Sequence, residues 1–272
     1  MPDLAPKITP PLKWAGGKRW FVRNHLSLFP IEYNTYFEPF IGGGAVLFSL
    51  LPEKATISDA NLDLIRTYRA IQFDSGGVER ALKLHAQKHN DDYFYEVRPN
   101  RPDDPVELAA WFLYLNRTCY NGLYRVNKKG QFNVPRGTKD MVLLPSDNFE
   151  AVAKILAGYE ILYSDFEPVI DKSRRGDFVF LDPPYTVKHN KNGFIKYNEN
   201  LFSWDDQVRL AKAVARAERR GVKLLVSNAD HPSVRELYKD IGETIALNRY
   251  SVIGGGAGYR ANTSEIVVKV GY

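Results

Sequence analysis

The segment of this sequence with the most chemistry in it is Asp182-Pro183-Pro184-Tyr185. Two consecutive prolines supply no backbone N–H, so the loop presents carbonyl acceptors in a rigid shape. An acidic side chain beside such a carbonyl can take both hydrogens of an amino group. A heterocyclic amine is a weak nucleophile because its lone pair is delocalised into the ring. Accepting its two N–H bonds favours the pyramidal nitrogen that attacks an electrophile, and that gain is realised in the transition state. Tyr185 can stack on the ring that bears the amine, which for a nucleic-acid base is worth about 1–3 kcal/mol. A Pro-Pro turn with a purely structural role is common. An acid, two prolines and an aromatic together at a strand end are much less so.

A second constellation is glycine-rich. Glu38-Pro39-Phe40-Ile41-Gly42-Gly43-Gly44 follows the aromatic pair Tyr36-Phe37, and Asp59 closes the next short apolar run. It is not a phosphate loop, because Ala45-Val46 stand where Lys-Ser or Lys-Thr would be needed. Nor does it match the dinucleotide fingerprint, whose last glycine falls three residues after the second. Glu38 would repel a pyrophosphate but attract a sulfonium or ammonium group. Asp59 is placed to accept hydrogen bonds from ribose hydroxyls. An isolated glycine triplet is often a plain tight turn, and acids at two strand-end positions argue against that here.

The third feature is a run of charge. From Trp111 to Lys139 there is no Asp or Glu, while Arg117, Arg125, Lys128, Lys129, Arg136 and Lys139 supply six positive charges. The whole chain carries +5, so the remainder sums to −1. Interleaved with Tyr114, Tyr120, Tyr124 and Phe132, this is the composition of a nucleic-acid surface. Charge alone fits a solvated basic face equally well.

Positioning these groups calls for a particular scaffold. A strand ending at Tyr36-Phe37, a glycine turn, a helix from Ala45 and a strand over Ala55–Ser58 ending at Asp59 make a nucleotide-binding half-sheet. Strand pattern returns at Tyr159–Tyr163 and at Asp177–Leu181, which leads into Asp182. Ser203-Trp204-Asp205-Asp206 is a capping-box start for a helix that runs to Arg220 and stops at Gly221. Val222–Val226 ends at Ser227-Asn228, and two last strands near Thr244–Val252 and Ser264–Val270 flank Gly254-Gly255-Gly256-Ala257-Gly258. Alternating strands and helices predict a mostly parallel α/β sheet. Residues 61–150, rich in helical pattern, proline and charge, read as an insertion.

Composition excludes several classes. At 44% hydrophobic with 16 Tyr and 15 Phe, the chain can bury a core. A single cysteine, Cys119, forbids an internal disulfide framework and fits a reducing cytoplasm, with packing its expected role. Met1–Pro11 has no apolar run, and no stretch is long and apolar enough for a membrane span. His85 and His89 stand four apart with no acidic or cysteine partner to complete a zinc set, and are expected to be surface helix residues.

Lys13-Trp14-Ala15-Gly16-Gly17-Lys18, Glu38-Pro39-Phe40 with its glycines, Asn116-Arg117, Tyr120-Asn121-Gly122-Leu123-Tyr124-Arg125, Phe132-Asn133-Val134-Pro135 and Asp182-Pro183-Pro184-Tyr185 occur in this order. With them the sequence resembles, over nearly its whole length, the Dam-type adenine methyltransferases of bacteria and phages, both solitary enzymes and partners in restriction systems. The resemblance implies a Rossmann-like methyltransferase sheet, mostly parallel with one antiparallel strand near the C-terminus. It implies an S-adenosylmethionine-binding catalytic domain from residues 1–60 and 151–272, and a largely helical DNA target-recognition domain at 61–150. Trp14, Lys18, Glu38, Phe40, Gly42, Gly44, Asp59, Asp165, Phe166 and Asp182 would contact the cofactor. Asp182 and the Pro183 carbonyl would hold the target amino group, with Pro184 and Tyr185 completing the loop and Tyr185 stacking on the base. Lys13, Arg117, Tyr120, Asn121, Leu123, Arg125, Asn127 and Pro135 match DNA-contacting positions.

The implied reaction is direct displacement on the sulfonium methyl, without metal or covalent intermediate, on an adenine rotated out of double-stranded DNA. The expected enzyme is a monomer of the cytoplasm, in a bacterial or phage-infected cell. Lys13, Leu123, Arg125 and Pro135 match positions that read GATC in the family. Arg136-Gly137-Thr138-Lys139 departs from the usual Gly-Arg-Tyr, so the site is GATC or a longer one containing GAT. Amino-group methylation of cytosine is the rival, though such enzymes more often carry Ser where Asp182 stands. A non-catalytic DNA-binding relative would be expected to lose Asp182 or Glu38, and a nicotinamide oxidoreductase is disfavoured by the glycine spacing and by Pro183-Pro184.

Overall fold

A computed structural model describes residues 8–127, 129–187, 202–250 and 262–272. In chain order its strands are β1 (Tyr36–Glu38), β2 (Ala55–Asp59), β3 (Glu160–Tyr163), β4 (Phe178–Leu181), β5 (Lys223–Ala229), β6 (Glu243–Tyr250) and β7 (Asn262–Val270). The helices are α1 (Arg19–His25), α2 (Leu47–Leu50), α3 (Leu62–Lys88), α4 (Asp91–Val97), α5 (Pro105–Thr118), α6 (Phe149–Leu156), α7 (Phe166–Lys172), α8 (Trp204–Arg219) and α9 (Pro232–Tyr238). They divide into two compact units, Met1–Leu26 with Ile41–Tyr163 and Ser27–Phe40 with Ser164–Tyr272.

In the first unit β2 and β3 pair in parallel, from Thr56↔Glu160 to Asp59↔Tyr163. Helix α5 is its hydrophobic centre. Asp104 caps it by accepting from the N–H groups of Val106 and Glu107, Pro105 occupies the first turn, and every residue from Leu108 to Thr118 is buried. Helix α3 packs along α5 and also against α6. It breaks at Asp74, whose φ of −144° and ψ of 67° are not helical. The Asp74 carboxylate accepts from the Gly77 N–H at 2.8 Å and so restarts the helix after the break. Segment 61–150 is thus largely helical, while the compact unit around it also takes in β2, β3 and the N-terminal residues.

The second unit carries strands in the order β1-β4-β5-β7-β6. β1 pairs with β4, and β4 with β5, in parallel. β7 runs antiparallel to both β5 and β6, so it alone is reversed in the five. This matches the expected mostly parallel sheet with one antiparallel strand near the C-terminus. β4 is buried on both faces, as a parallel inner strand requires. The predicted capping box is present, Ser203 and Asp206 each closing on the other's backbone N–H, and α8 ends before Gly221 at φ +80°. β5 extends past Val226 to Ala229 and so places Ser227 and Asn228 inside the strand. Gly254-Gly255-Gly256-Ala257-Gly258 lies outside the described residues. Among those described, no helix is long and apolar enough to cross a membrane.

Candidate active site

The glycine turn belongs to the first unit from Ile41 onward. Gly42 has φ +45° and Gly44 φ +71°, a backbone that side chains rarely adopt. A β-carbon on Gly42 would fall 2.6 Å from Cδ1 of Trp14, and one on Gly44 would meet the Phe48 ring at 2.8 Å. The turn therefore needs glycine for conformation and for space. The Gly42 N–H donates to Oδ2 of Asp59 at 3.1 Å, and the Asn61 N–H to Oδ1 at 2.9 Å. Burial pushes the Asp59 carboxyl up to about 6, against the opposing pull of the N–H groups of Asn61, Gly42 and Ala60. From behind, the Tyr68 hydroxyl donates to the Gly42 carbonyl at 2.9 Å. Tyr68 was no candidate from the sequence, yet it completes the turn.

Trp14 stacks near Phe112 and Tyr124, with ring centroids at 6.5 and 6.1 Å, which ties the N-terminal segment to α5 and the loop after it. Lys18 is buried and its ammonium donates to the Gly16 carbonyl at 3.2 Å. Asn116 clamps Lys13, accepting its N–H at 2.9 Å and donating to its carbonyl at 2.7 Å. Burial lowers the pKa of Lys13, with positive Lys139 and Arg117 adding to the effect.

After α5 the chain makes an excursion closed by backbone hydrogen bonds from Tyr120 to Pro135 and from Gly137 to Thr118, at 2.9 and 2.8 Å. Tyr120, Asn121, Arg125 and Pro135 are exposed on it; Leu123 and Asn127 are half-buried. Asn127 holds the tip, its side-chain oxygen accepting from the N–H groups of Lys129 and Gln131. Arg125 is braced by Asn133, which accepts its Nε–H at 2.8 Å and, through the backbone carbonyl, an Nη2 hydrogen at 3.3 Å.

The six positive charges of this stretch are not equivalent. Arg117 is 1% exposed, gripped by both oxygens of Asp147 at 2.6 and 2.8 Å and donating to the carbonyls of Pro11 and Val142. Expected among the DNA-facing residues, it instead faces the interior and ties the N-terminal segment to the loop before α6. Arg136 pairs with Asp91 at 2.9 Å and with Asp140. Both acids lie outside the acid-free run, which is why sequence composition overstated the run's free charge. Arg125, Lys129 and Lys139 remain exposed, and Lys128 lies outside the described residues.

His85 and His89 are not the surface residues expected of them. His85 stacks on Tyr114 at 4.9 Å and lies 2.9 Å from the Tyr93 hydroxyl; His89 lies 2.9 Å from the Tyr114 hydroxyl. Burial drives His85 down to about 4, so it is neutral at pH 7 and serves packing between helices. Cys119 is buried with its thiol pushed up to about 12 by burial, which makes it inert as a nucleophile.

The second unit holds the Asp182 loop. Leu181, fully buried, pairs with Val226, and Asp182 follows at the strand end, half-buried. Tyr185 is fixed at its far end: its hydroxyl donates to Oε2 of Glu265 at 3.0 Å and lies 2.8 Å from Oγ of Ser227. The ring position is therefore set from β5 and β7. Thr186 donates to the Phe202 carbonyl at 2.7 Å. Glu38, buried at the end of β1, accepts from the Tyr36 hydroxyl at 2.8 Å.

Phe40 and Phe166 stack at 5.5 Å, with Phe202 set edgewise on Phe40 at 5.6 Å. Asp165 caps α7 and accepts from both terminal nitrogens of Arg209, at 2.8 and 2.9 Å, while the Arg209 guanidinium lies 4.3 Å from the Phe166 ring centre. Arg209, Ser227 and Glu265 were not candidates from the sequence. Arg209 looks like one more basic residue on an amphipathic helix, and only the fold shows what it grips. Among the described residues no group of three or more His, Cys, Asp or Glu could hold a metal ion.

Comparison with known proteins adds identity to this geometry. The family described as D12 class N6 adenine-specific DNA methyltransferase matches residues 14–252. The chain belongs to that family. It is 36% identical over 271 residues to the type II methyltransferase M1.LlaDCHI of Lactococcus lactis subsp. cremoris, covering 96% of this chain and 95% of the relative. It is 40% identical over 246 residues to the type II methyltransferase M.MjaIII of Methanocaldococcus jannaschii, covering 82% and 85%. Over 244 residues it is 32% identical to the DNA adenine methylase of Haemophilus influenzae, covering 87% and 85%. As a D12 class member the protein is an adenine-specific DNA methyltransferase, with a mixed α/β methyltransferase fold, and membership of the family implies S-adenosylmethionine as methyl donor.

Proposed function

We propose that the protein methylates the N6 amino group of an adenine rotated out of double-stranded DNA, in GATC or a longer site containing GAT. The carrying observation is the Asp182-Pro183-Pro184-Tyr185 loop, set by a buried strand and anchored through the Tyr185 hydroxyl. Asp182 and the Pro183 carbonyl take the two amino hydrogens, and Tyr185 stacks on the base. Bound S-adenosylmethionine supplies an electrophilic methyl, and transfer is a direct displacement that needs no metal.

The residues present suit a sulfonium nucleoside. In the first unit the Gly42–Gly44 turn is packed against Trp14 and Phe48, and Asp59 offers a carboxylate already oriented by two backbone N–H groups; in the second, Glu38 supplies a buried acid for the cationic end. Trp14, Lys18 and Phe40 complete the methionine side; Asp165 and Phe166 serve the adenine ring of the cofactor. We assign residues 1–60 and 151–272 to catalysis and 61–150 to target recognition. Lys13, Tyr120, Asn121, Leu123, Arg125, Asn127 and Pro135 contact DNA, with Arg117 supporting them from beneath. We further assign the enzyme to the cytoplasm as a monomer.

One assay tests this. The protein is incubated with labelled S-adenosylmethionine and assorted duplexes, and the digested product is identified. N6-methyladenine is expected; label in methylcytosine, or tight DNA binding with no transfer, would overturn the assignment. Asp182→Ala should abolish transfer while cofactor binding survives. Sequencing of modified genomic DNA reads out the recognition site.

A further inference from the structure

Beneath the Asp182 loop lies a chain of polar groups that the expected chemistry does not use. Gln207, on the first turns of α8, and Asn228, near the end of β5, are both completely buried. The Gln207 amide Nε2 donates to the Pro184 carbonyl at 3.2 Å. Its Oε1 accepts from Nδ2 of Asn228 at 3.0 Å, and Oδ1 of Asn228 accepts from the Ala229 N–H at 2.8 Å. A backbone N–H of β5 is thereby linked through two side-chain amides to a carbonyl of the loop. Buried amides in such a series polarise one another and fix each other's orientation.

The position of this link gives it meaning. Pro183 and Pro184 have no N–H, so the loop between them can be held through the backbone only by donors aimed at its carbonyls. Gln207 is such a donor, one residue beyond the Pro183 carbonyl assigned to the target amine. Ser227, the neighbour of Asn228, holds the Tyr185 hydroxyl. Two adjacent residues of β5 thus brace both halves of the loop, one through Gln207 and one directly.

We infer that Gln207, held by Asn228, is a positioning residue for methyl transfer: it clamps the Pro184 carbonyl so that the acceptors for the target amine stay aligned. This rests on the function proposed above. Gln207→Leu removes the donor at similar size. Gln207→Glu keeps the shape, and its carboxyl can donate to Pro184 only when protonated.

Four measurements test the clamp. In Gln207→Leu, hydrogen exchange of the Tyr185–Val187 amides should quicken, and the single-turnover transfer rate should fall at least tenfold while S-adenosylmethionine affinity stays within twofold. In Gln207→Glu the rate relative to wild type should recover as pH falls, which a merely structural role would not produce. Unchanged exchange, a rate within twofold of wild type, an equal loss of rate and cofactor affinity, or a flat relative pH profile for Gln207→Glu would each overturn the inference. If wild-type protein transfers no methyl to adenine while exchange still quickens in Gln207→Leu, the proposed function falls and the clamp itself stands.

Discussion

Gly42 and Asp59 are joined by one hydrogen bond, from the backbone N–H of the glycine to Oδ2 of the acid at 3.1 Å. It couples the glycine turn to the end of β2, and it makes the turn's shape depend on the charge of a carboxyl that burial has raised to about 6. A raised carboxyl pKa favours the folded state most below its ordinary value near 3.8, and that contribution is lost as pH rises through about 6.

Cofactor affinity should move the other way. With the ionised Asp59 proposed to accept ribose hydroxyl hydrogens, titration calorimetry should show S-adenosylmethionine binding about tenfold weaker at pH 5 than at pH 7.5. Asp59→Asn should bind weakly with little dependence on pH in that window. A wild-type affinity that is flat from pH 5 to 7.5 would refute the role.

Gly42→Ala should destabilise the first unit, because its β-carbon meets the Trp14 ring and its φ is positive. The expected cost is about 1–3 kcal/mol, visible in chemical denaturation. Trp14→Leu in the same chain should recover part of that loss by making room; no recovery would mean that the backbone angle alone is at fault.

Arg117 and Arg125 should behave in opposite ways. Breaking the buried Arg117–Asp147 pair by Arg117→Met should cost about 3–5 kcal/mol of stability. Arg125→Ala, at an exposed position, should leave the melting temperature unchanged and weaken DNA binding by about 1–3 kcal/mol. Fluorescence anisotropy and thermal melts on both variants separate the roles, and a stable Arg117→Met protein with specifically impaired DNA binding would restore the interior arginine to the DNA surface.

Tyr185→Phe keeps the ring and removes the hydroxyl's hydrogen bonds to Glu265 and Ser227, at a cost of about 1–3 kcal/mol. Tyr185→Ala removes the ring as well. Single-turnover rates should therefore fall in the order wild type, Tyr185→Phe, Tyr185→Ala. Equal rates for the two variants would remove the stacking role.

Much of the Asp182–Tyr185 loop was legible in sequence because the features that mark it are local. Two prolines, an acid and an aromatic act within four residues, and the capping box at Ser203 and the turn at Gly42 are equally local. What escaped was pairing at a distance. Asp165 meets Arg209 across 44 residues, and Tyr185 meets Glu265 across 80, with no periodicity to announce either. Arg117 was misjudged for the same reason. Its type and its basic neighbourhood suggested a DNA surface, while the acid that claims it, Asp147, lies 30 residues on. The histidines misled in a related way: polar helix positions four apart are usually solvated, and here aromatic partners from α4 and α5 cover them.

The placement of β7 between β5 and β6 has a consequence for how the protein is made. Among the described residues β6 pairs only with β7, which leaves the ribosome after it, and β5 waits for the same strand on that side. The nascent second unit therefore carries unpaired strand edges, which are prone to wrong pairing, until β7 threads between them. The same strand brings Glu265, so the hydrogen bond from the Tyr185 hydroxyl to that carboxylate forms only after β7 has been made.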